Sequence, residues 1–380
     1  MICVFDRHTK QNEFNHNGET VLNPTSCMIH QEENGDWSLE LHQPVLPDDD
    51  CWQYLKLYNI IRVSSGQLFP IYFIQKRLEN NVPTLVVKAK HIFYYLNDKI
   101  VTMSLETDGI GFSLKQLIQA VFDHVEHRDE GGLTEYQFSD YSYMGGFNHY
   151  SCDGISVAKA IFEIADIWGG KLYRDNFMFS IDEIQKNAAQ NSFTAEHGWN
   201  MPEIIETVDS SDQITQLKYE DNYGFVQWRG LDLSRIPPPH QVMRKITMSY
   251  DGPSNAIGDS EMYMRAHAFD IYYNTMTAYD VNLLNLSDTS RAAGWADLER
   301  CRVGDTGRVR SAILDIDNYQ RVVGTDFNEL TQRNERVKLA NFRKSSMTPD
   351  KFASTVSGYS AETKRIAMLE KKGSFFEYVK

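Results

Sequence analysis

The sequence predicts a mainly β protein of the α+β class, in which a helical unit separates two strand-rich blocks and a helix follows at the end. Residues 58–90 have the pattern of a short strand, a turn, a longer strand, a polar turn and a third strand. Residues 298–339 repeat that order. Helical periodicity is clearest between the blocks and after residue 348. We therefore expect two related antiparallel barrels.

Size and charge narrow the class of protein. The chain has 380 residues, 42% of them hydrophobic, which is enough for two or three domains with a core. It has no apolar run of about 18 residues, and no basic-then-apolar secretory signal at its start. A net charge of −14 disfavours tight binding of nucleic acid. Five cysteines without a CxxC pair predict reduced thiols and synthesis in a cytosol.

The first predicted barrel covers residues 1–104. Asn34-Gly35 stands between two runs of alternating apolar and polar residues, which is the pattern of a tight β-hairpin. The alternation predicts one shared buried face made of Cys27, Ile29, Trp37, Leu39 and Leu41.

An α+β domain is predicted over residues 105–198. Ser113 precedes an apolar helical stripe and forms a capping box with Gln116. A second helix is expected to begin after Ser156 and to end at Gly169-Gly170. Asp175-Asn176 then predicts the turn of a further hairpin.

The remainder divides into three predicted parts. Residues 199–254 are expected to supply connecting strands and a linker that contains the extended "RIPPPH". The second barrel is predicted over 255–345, with a helix beginning after Asp259, and a helical segment over 346–380. The apolar spacing of the last helix predicts an oligomer seam, whose residues are Phe352, Val356, Tyr359 and Ile366.

The two strand blocks can be aligned by the order of their strands, although their residues differ. "NIIRV" is placed against "TGRVR", "LFPIYFIQKRLEN" against "NYQRVVGTDFNEL", and "TLVVKAK" against "ERVKLAN". The second block carries an additional hairpin arm, "SAILDID". Gly304-Asp305 is predicted to turn the chain into a barrel strand, with Gly for the bend and Asp for local hydrogen bonds.

Several stretches resemble the phage tail-associated proteins known as the Tal, or prophage tail endopeptidase, family. They are "NGDWSLEL", "LYNIIRV", "GQLFPIYFIQKRLEN", "KAKHIFYYL", "LNLSDTS", "LERCRVGDTGRVR" and "NERVKLANF". The resemblance covers roughly residues 1–100 and 275–345, and the unit between them only loosely. These motifs are structural rather than catalytic.

The resemblance implies a structural virion protein, made in the bacterial host cytoplasm and built into the baseplate at the tail tip. It would form a homotrimeric hub, similar in fold to the hub of contractile phages, with two barrels per chain matching a six-fold tail. The implied partners are the hexameric distal tail protein, with the tape measure protein and phage DNA passing through the channel, and the host cell wall is a further candidate. An acidic channel would let the genome slide during DNA ejection.

No catalytic, cofactor or metal residue is assigned from the sequence. "FDHVEHRDE", "PDDDC" and "DIDN" carry clustered acids or histidines, but they lack the spacing of zinc or calcium sites. The sequence also has no GxSxG motif. Wall-degrading activity in longer family members lies in C-terminal domains, so we expect no enzyme here.

Two other functions stay open. The aromatic run 136–150 and the unit around it allow a cell-wall hydrolase or a glycan-binding tail module. A monomeric adaptor without a channel is the other alternative.

Overall fold

A computed structural model gives the arrangement of most of the chain. It describes eleven stretches, which are residues 1–79, 82–104, 112–126, 135–139, 150–182, 190–209, 216–221, 226–230, 245–250, 276–283 and 296–341. The fold is mainly β with two α-helices in these stretches, which confirms the predicted fold class. The linker "RIPPPH", the helix expected after Asp259 and the segment 346–380 with its seam lie outside the described residues.

The first strand block is antiparallel throughout. Its strands are β1 (Cys3–Phe5), β2 (Thr20–Val21), β3 (Ser26–Glu32), β4 (Trp37–Pro44), β5 (Ile60–Arg62), β6 (Leu68–Glu79) and β7 (Val82–Lys90). Short 3-10 helices cover Gln11–Glu13, Asp50–Tyr54 and Ile92–Asp98. The strands lie side by side in the order β3-β4-β7-β6-β5-β1-β2.

The predicted hairpin joins β3 to β4. Asn34 sits at its turn with φ of +47°, a left-handed conformation that asparagine tolerates better than most residues. The five residues predicted to share one face are all buried there, and they pack with Val87, Ala89 and Phe69. Alternation along the two strands therefore built the core that the sequence predicted.

The middle unit combines two small sheets with both α-helices. Its elements are β8 (Ile100–Ser104), α1 (Leu114–Asp123), β9 (Gln137–Phe138), β10 (Ser151–Ser156), α2 (Val157–Ile167), β11 (Lys171–Asp175) and β12 (Met178–Asp182). One sheet is β10-β8 and the other is β11-β12-β9. Its core also includes Phe93, Leu96, Val101 and Met103, so it draws on residues on both sides of position 104.

Both helices begin where the caps predicted. The Ser113 hydroxyl accepts from the backbone N–H of Gln116, and the Gln116 side chain accepts from the N–H of Ser113. Ser156 caps α2 through the N–H of Lys159. Gly169 ends that helix in a left-handed conformation. Such caps satisfy backbone donors that the first helical turn leaves without partners.

The second strand block contains the remaining strands. They are β13 (Phe193–Glu196), β14 (Glu203–Asp209), β15 (Gln216–Asp221), β16 (Val226–Gly230), β17 (Lys245–Tyr250), β18 (Met276–Asn282), β19 (Thr306–Ser311), β20 (Ile316–Asn328) and β21 (Arg333–Ala340). A 3-10 helix covers Ala296–Arg300. Strands β16-β15-β17 form a separate sheet, whereas the others lie in the order β14-β18-β21-β20-β19-β13.

The two blocks contain the same five-stranded module. The first module is β3-β4-β7-β6-β5 and the second is β14-β18-β21-β20-β19, and every pairing within them is antiparallel. In each, a 3-10 helix precedes the third strand of the module along the chain. The long strand of each is irregular at one matching place, between Ile71 and Phe73 and between Val322 and Gly324. The chain therefore carries the repeat that the strand rhythm predicted.

The turn before β5 and the turn before β19 match in detail. The N–H of Tyr58 donates to the carbonyl of Ile71, and the N–H of Gly304 donates to that of Val322. Tyr58 and Gly304 both have positive φ, at +72° and +102°. The Asp305 carboxylate accepts from the N–H of Arg302. Gly304-Asp305 is thus a turn of the predicted kind, with the predicted roles.

The predicted alignment of the two blocks is wrong by one residue. Strand pairing makes Ile71 of the first module equivalent to Val322 of the second, and Lys88 equivalent to Lys338. The sequence alignment placed each of these residues one position away from its equivalent. A shift of one residue exchanges the two faces of a strand, so the alignment would have put core residues in solvent. The stretch "SAILDID" is not a separate arm, because it forms the tip of the longer β19–β20 hairpin.

The two modules are joined into a single sheet. Strand β20 pairs with β3 over Gly324 to Asn328, antiparallel to Glu32 to Met28. The resulting run of eight strands is β14-β18-β21-β20-β3-β4-β7-β6. The sequence predicted two separate barrels and gave no sign of this junction, because its partners are almost 300 residues apart.

Candidate assembly interface

The junction between the modules is a regular antiparallel ladder. The N–H of Glu33 donates to the carbonyl of Val323 at 2.8 Å, and the N–H of Glu329 donates to that of Cys27 at 2.9 Å. Between these bonds, Asp326 lies opposite His30 in a pair without direct backbone hydrogen bonds, where side chains approach most closely.

A charged cluster occupies the polar face of this junction. His30 Nδ1 lies 2.5 Å from an Asp326 carboxylate oxygen and its Nε2 lies 3.3 Å from Glu32. Lys338 donates to Glu32 at 2.8 Å. Hydrogen bonds to Asp326 and Glu32 raise the pKa of His30 to about 9. The bond from His30, with help from Lys338, lowers the pKa of Glu32 to about 2.

The junction cluster predicts a defined dependence of stability on pH. The stabilisation from charged His30 is complete below its unfolded pKa, near 6.5, and is lost as pH rises through about 9. That from ionised Glu32 is complete above about 4.5 and is lost as pH falls to about 2. We expect urea unfolding midpoints to fall between pH 6.5 and 9, and less so in His30→Gln. An equal fall in both proteins would contradict the assignment.

Arg174 ties the middle unit to the first module. It is 4% exposed, and its Nη1 donates to the carbonyl of Gly35 at 3.0 Å and to the Tyr94 hydroxyl at 2.8 Å. Its Nη2 donates to the carbonyl of Glu32 at 3.2 Å. The guanidinium also lies over four aromatic rings, those of Trp37, Phe93, Tyr94 and Phe162. Sequence analysis missed this residue, because a single arginine on a predicted strand has no local signal of burial.

The run of eight strands ends in two exposed edges. At one end lies β14, and at the other the second half of β6, from Phe73 to Glu79. No strand in the described part of the chain pairs with either edge. Apolar side chains are exposed along both, including Leu78 at 71%, Ile205 at 51% and Val208 at 61%. Open edges of this kind are templates for pairing with another chain.

One described residue from each candidate chemical site makes a structural contact. Asp49 caps the 3-10 helix Asp50–Tyr54 by accepting from the N–H of Cys51, and Asp317 pairs with Arg308 across a hairpin. His124 ends α1 in contact with the carbonyl of Ala120. Most of the aromatic run 136–150 lies outside the described residues.

The described stretches show neither a metal cluster nor a membrane-spanning helix. They contain no group of three His, Cys, Asp or Glu side chains arranged to hold a metal ion. They also contain no helix of the length and apolar character needed to cross a bilayer.

The fold is that of phage tail proteins. The prophage tail protein gp18 of Listeria monocytogenes EGD-e has 17% identity and a TM-score of 0.61, over 93% of this chain and 98% of its own. The 43 kDa tail protein of prophage MuSo2 from Shewanella oneidensis has 12% identity and a TM-score of 0.57, over 89% and 97%. A tail protein of Neisseria meningitidis MC58 has 10% identity and a TM-score of 0.56, over 94% and 99%.

The sequence itself identifies one part of the chain. Residues 9–91 match the model of the prophage endopeptidase tail N-terminal domain, which confirms the resemblance found in the motifs. A comparison with curated proteins found no match.

Proposed function

We propose that this protein is a structural component of a phage tail that assembles into a homotrimeric hub at the tail tip. One observation carries the proposal: two modules of the same strand order are joined edge to edge, and within the described residues the joined sheet ends in one unpaired edge from each module. The similarity to prophage tail proteins supports the setting of this assembly in a virion.

The two free edges are different surfaces, which correspond to the two strands that pair at the junction within the chain. The first module is joined through β3 and the second through β20, so the strands that correspond to this pair are β6 and β14. The outer edges of these two strands pair with no strand among the described residues. A contact between unlike surfaces of identical chains is head-to-tail, and it closes into a ring when the rotation allows. The resemblance to trimeric hubs supports three copies, which present six similar modules to a six-fold tail.

Such a ring accounts for the other expected partners. The distal tail protein would meet the edges of the six modules, while the tape measure protein and the DNA would pass through the centre. The net charge of −14 supports a channel that does not retain the genome. A role in assembly also accounts for the structural contacts of Asp49, which caps a 3-10 helix, and of Asp317, which pairs with Arg308. The protein would act without enzymatic turnover.

The oligomeric state tests the proposal directly. We expect multi-angle light scattering at increasing concentration to give three times the mass of the chain, and negative-stain images to show rings with a central opening. A chain that stays monomeric throughout would overturn the hub and favour the adaptor. Release of fragments from purified cell walls by the protein would favour a hydrolase instead.

A further inference from the structure

We propose that β14 of one copy pairs with the second half of β6 of the next copy, in the register that β3 and β20 use within the chain. This inference rests on the proposed ring and adds its contact residues. The occupant of each open edge is thus a second copy of this same chain. The evidence is that an equivalent contact already exists between the two modules.

The register follows from matching the modules strand by strand. The pairing of β6 with β7 and of β20 with β21 makes Phe73 equivalent to Gly324, because each directly follows the irregularity in its long strand. The pairing of β14 with β18 and of β3 with β4 makes Ile204 equivalent to Cys27. Within the chain, Gly324 lies opposite Glu32. Carrying this over places Phe73 opposite Asp209 of the next copy.

On the face of the sheet that continues the cores, the register brings suitable side chains together. Lys76 falls opposite Glu206 and Ile74 falls opposite Val208 of the next copy. Residues directly opposite in an antiparallel pair share a face, and opposite charges or apolar side chains stabilise such pairs. A slip of one residue would instead place Lys76 opposite Thr207 and Ile74 opposite Asp209, which removes both matches.

The polar face gains a counterpart of the junction cluster. Gln75 falls opposite Thr207, at the position where Asp326 lies opposite His30. Lys88 occupies the position of Lys338, which within the chain donates to Glu32. The matching acid on the next copy is Asp209. Lys88 already contacts Glu40 at 2.9 Å, so the interface would add a second acid to an existing ion pair.

Exposure of the two strands supports their use as an interface. The side chains from Phe73 to Leu78 are exposed except for the half-buried Ile74, and in β14 only Ile204 is half-buried. The corresponding residues of the junction, Ile29 and Thr325, are buried because the other module covers them. An apolar edge of this length promotes uncontrolled pairing unless a defined partner covers it.

Disulfide cross-linking tests the register. Gln75 and Thr207 correspond to a pair without backbone hydrogen bonds, in which Cα atoms lie about 4.5 Å apart, close enough for a disulfide. We expect the Gln75→Cys, Thr207→Cys double variant to convert mostly to covalent dimers and trimers under mild oxidation. The matched control, Gln75→Cys with Val208→Cys, places the second thiol on the opposite face and should convert at least tenfold less. The wild-type chain and the single variants control for the native cysteines.

The outcomes separate this inference from the proposed function. If light scattering shows a trimer but the disulfide forms in the control pair, or in neither pair, the register is wrong and the proposed ring is still supported. A double variant and wild type that both stay monomeric at high concentration would overturn the ring and the register together. Cross-linking of the Gln75 and Thr207 pair alone, within trimers, supports both.

Discussion

Replacing Arg174 with methionine is expected to lower the free energy of unfolding by about 3 kcal/mol, because buried acceptors lose a charged donor. Methionine fills part of the same space, so the loss reports mainly the guanidinium. Its removal leaves the carbonyls of Gly35 and Glu32 short of a charged donor in a buried setting, and it removes the cation from the aromatic cage. Because Arg174 joins the middle unit to the first module, the unfolding transition should also broaden.

The measurement is chemical denaturation followed by both fluorescence and circular dichroism. Tyr173→Ala is the matched control, because the neighbouring side chain is 53% exposed, and we expect a change within about 0.5 kcal/mol. Equal stability of the Arg174→Met variant and the wild type would mean that the packing of the aromatic rings alone holds the two units together.

Replacing Val208 with proline is expected to prevent ring assembly while the chain still folds. By correspondence with Gln31 of β3, the N–H of Val208 points away from β18 toward the free side of the strand. Proline removes this donor and places its ring at the edge, where a sheet tolerates it only without a neighbour. One lost backbone hydrogen bond costs about 1 kcal/mol, and the clash of the pyrrolidine ring with the neighbouring strand adds to this cost. We therefore expect assembly to weaken at least tenfold at each contact.

Light scattering over a concentration series and thermal unfolding measure the two effects separately. Thr207→Pro is the control, because the N–H of Thr207 should point toward β18 within its own chain. That variant is expected to lower the melting temperature, whereas Val208→Pro is not. A Val208→Pro protein that forms trimers as readily as the wild type would show that β14 does not pair with another copy.

Local features were predictable because their causes are local. The Asn34 hairpin, the Ser113 and Ser156 caps and the Gly304 turn depend on residues within a few positions of one another. The repeated order of strands was predictable for the same reason, since each turn has its own composition. The alignment of the repeats failed by one residue because it depended on the order and length of the strands alone, and the two blocks share too little sequence to fix the register.

The interface was not predictable from the sequence. The pairing of β20 with β3 joins residues that no local pattern connects, and the open edges are defined only once this junction is known. The role of Arg174 was not predictable for the same reason. Its backbone carbonyl partners lie in β3 and in the turn after it, and the rings around it come from β4, the 3-10 helix Ile92–Asp98 and α2. The predicted seam, Phe352, Val356, Tyr359 and Ile366, lies outside the described residues and stays a prediction.

The unequal hairpins of the two modules have a consequence for how a ring is oriented. The tip of β19–β20 extends beyond that of β5–β6 and exposes Ile313 at 79% and Leu314 at 48%. In the proposed ring, three long hairpin tips with exposed apolar residues would therefore alternate with three short ones. A partner that contacts these tips would meet three-fold symmetry, whereas the common sheet would still present six similar modules to a six-fold partner.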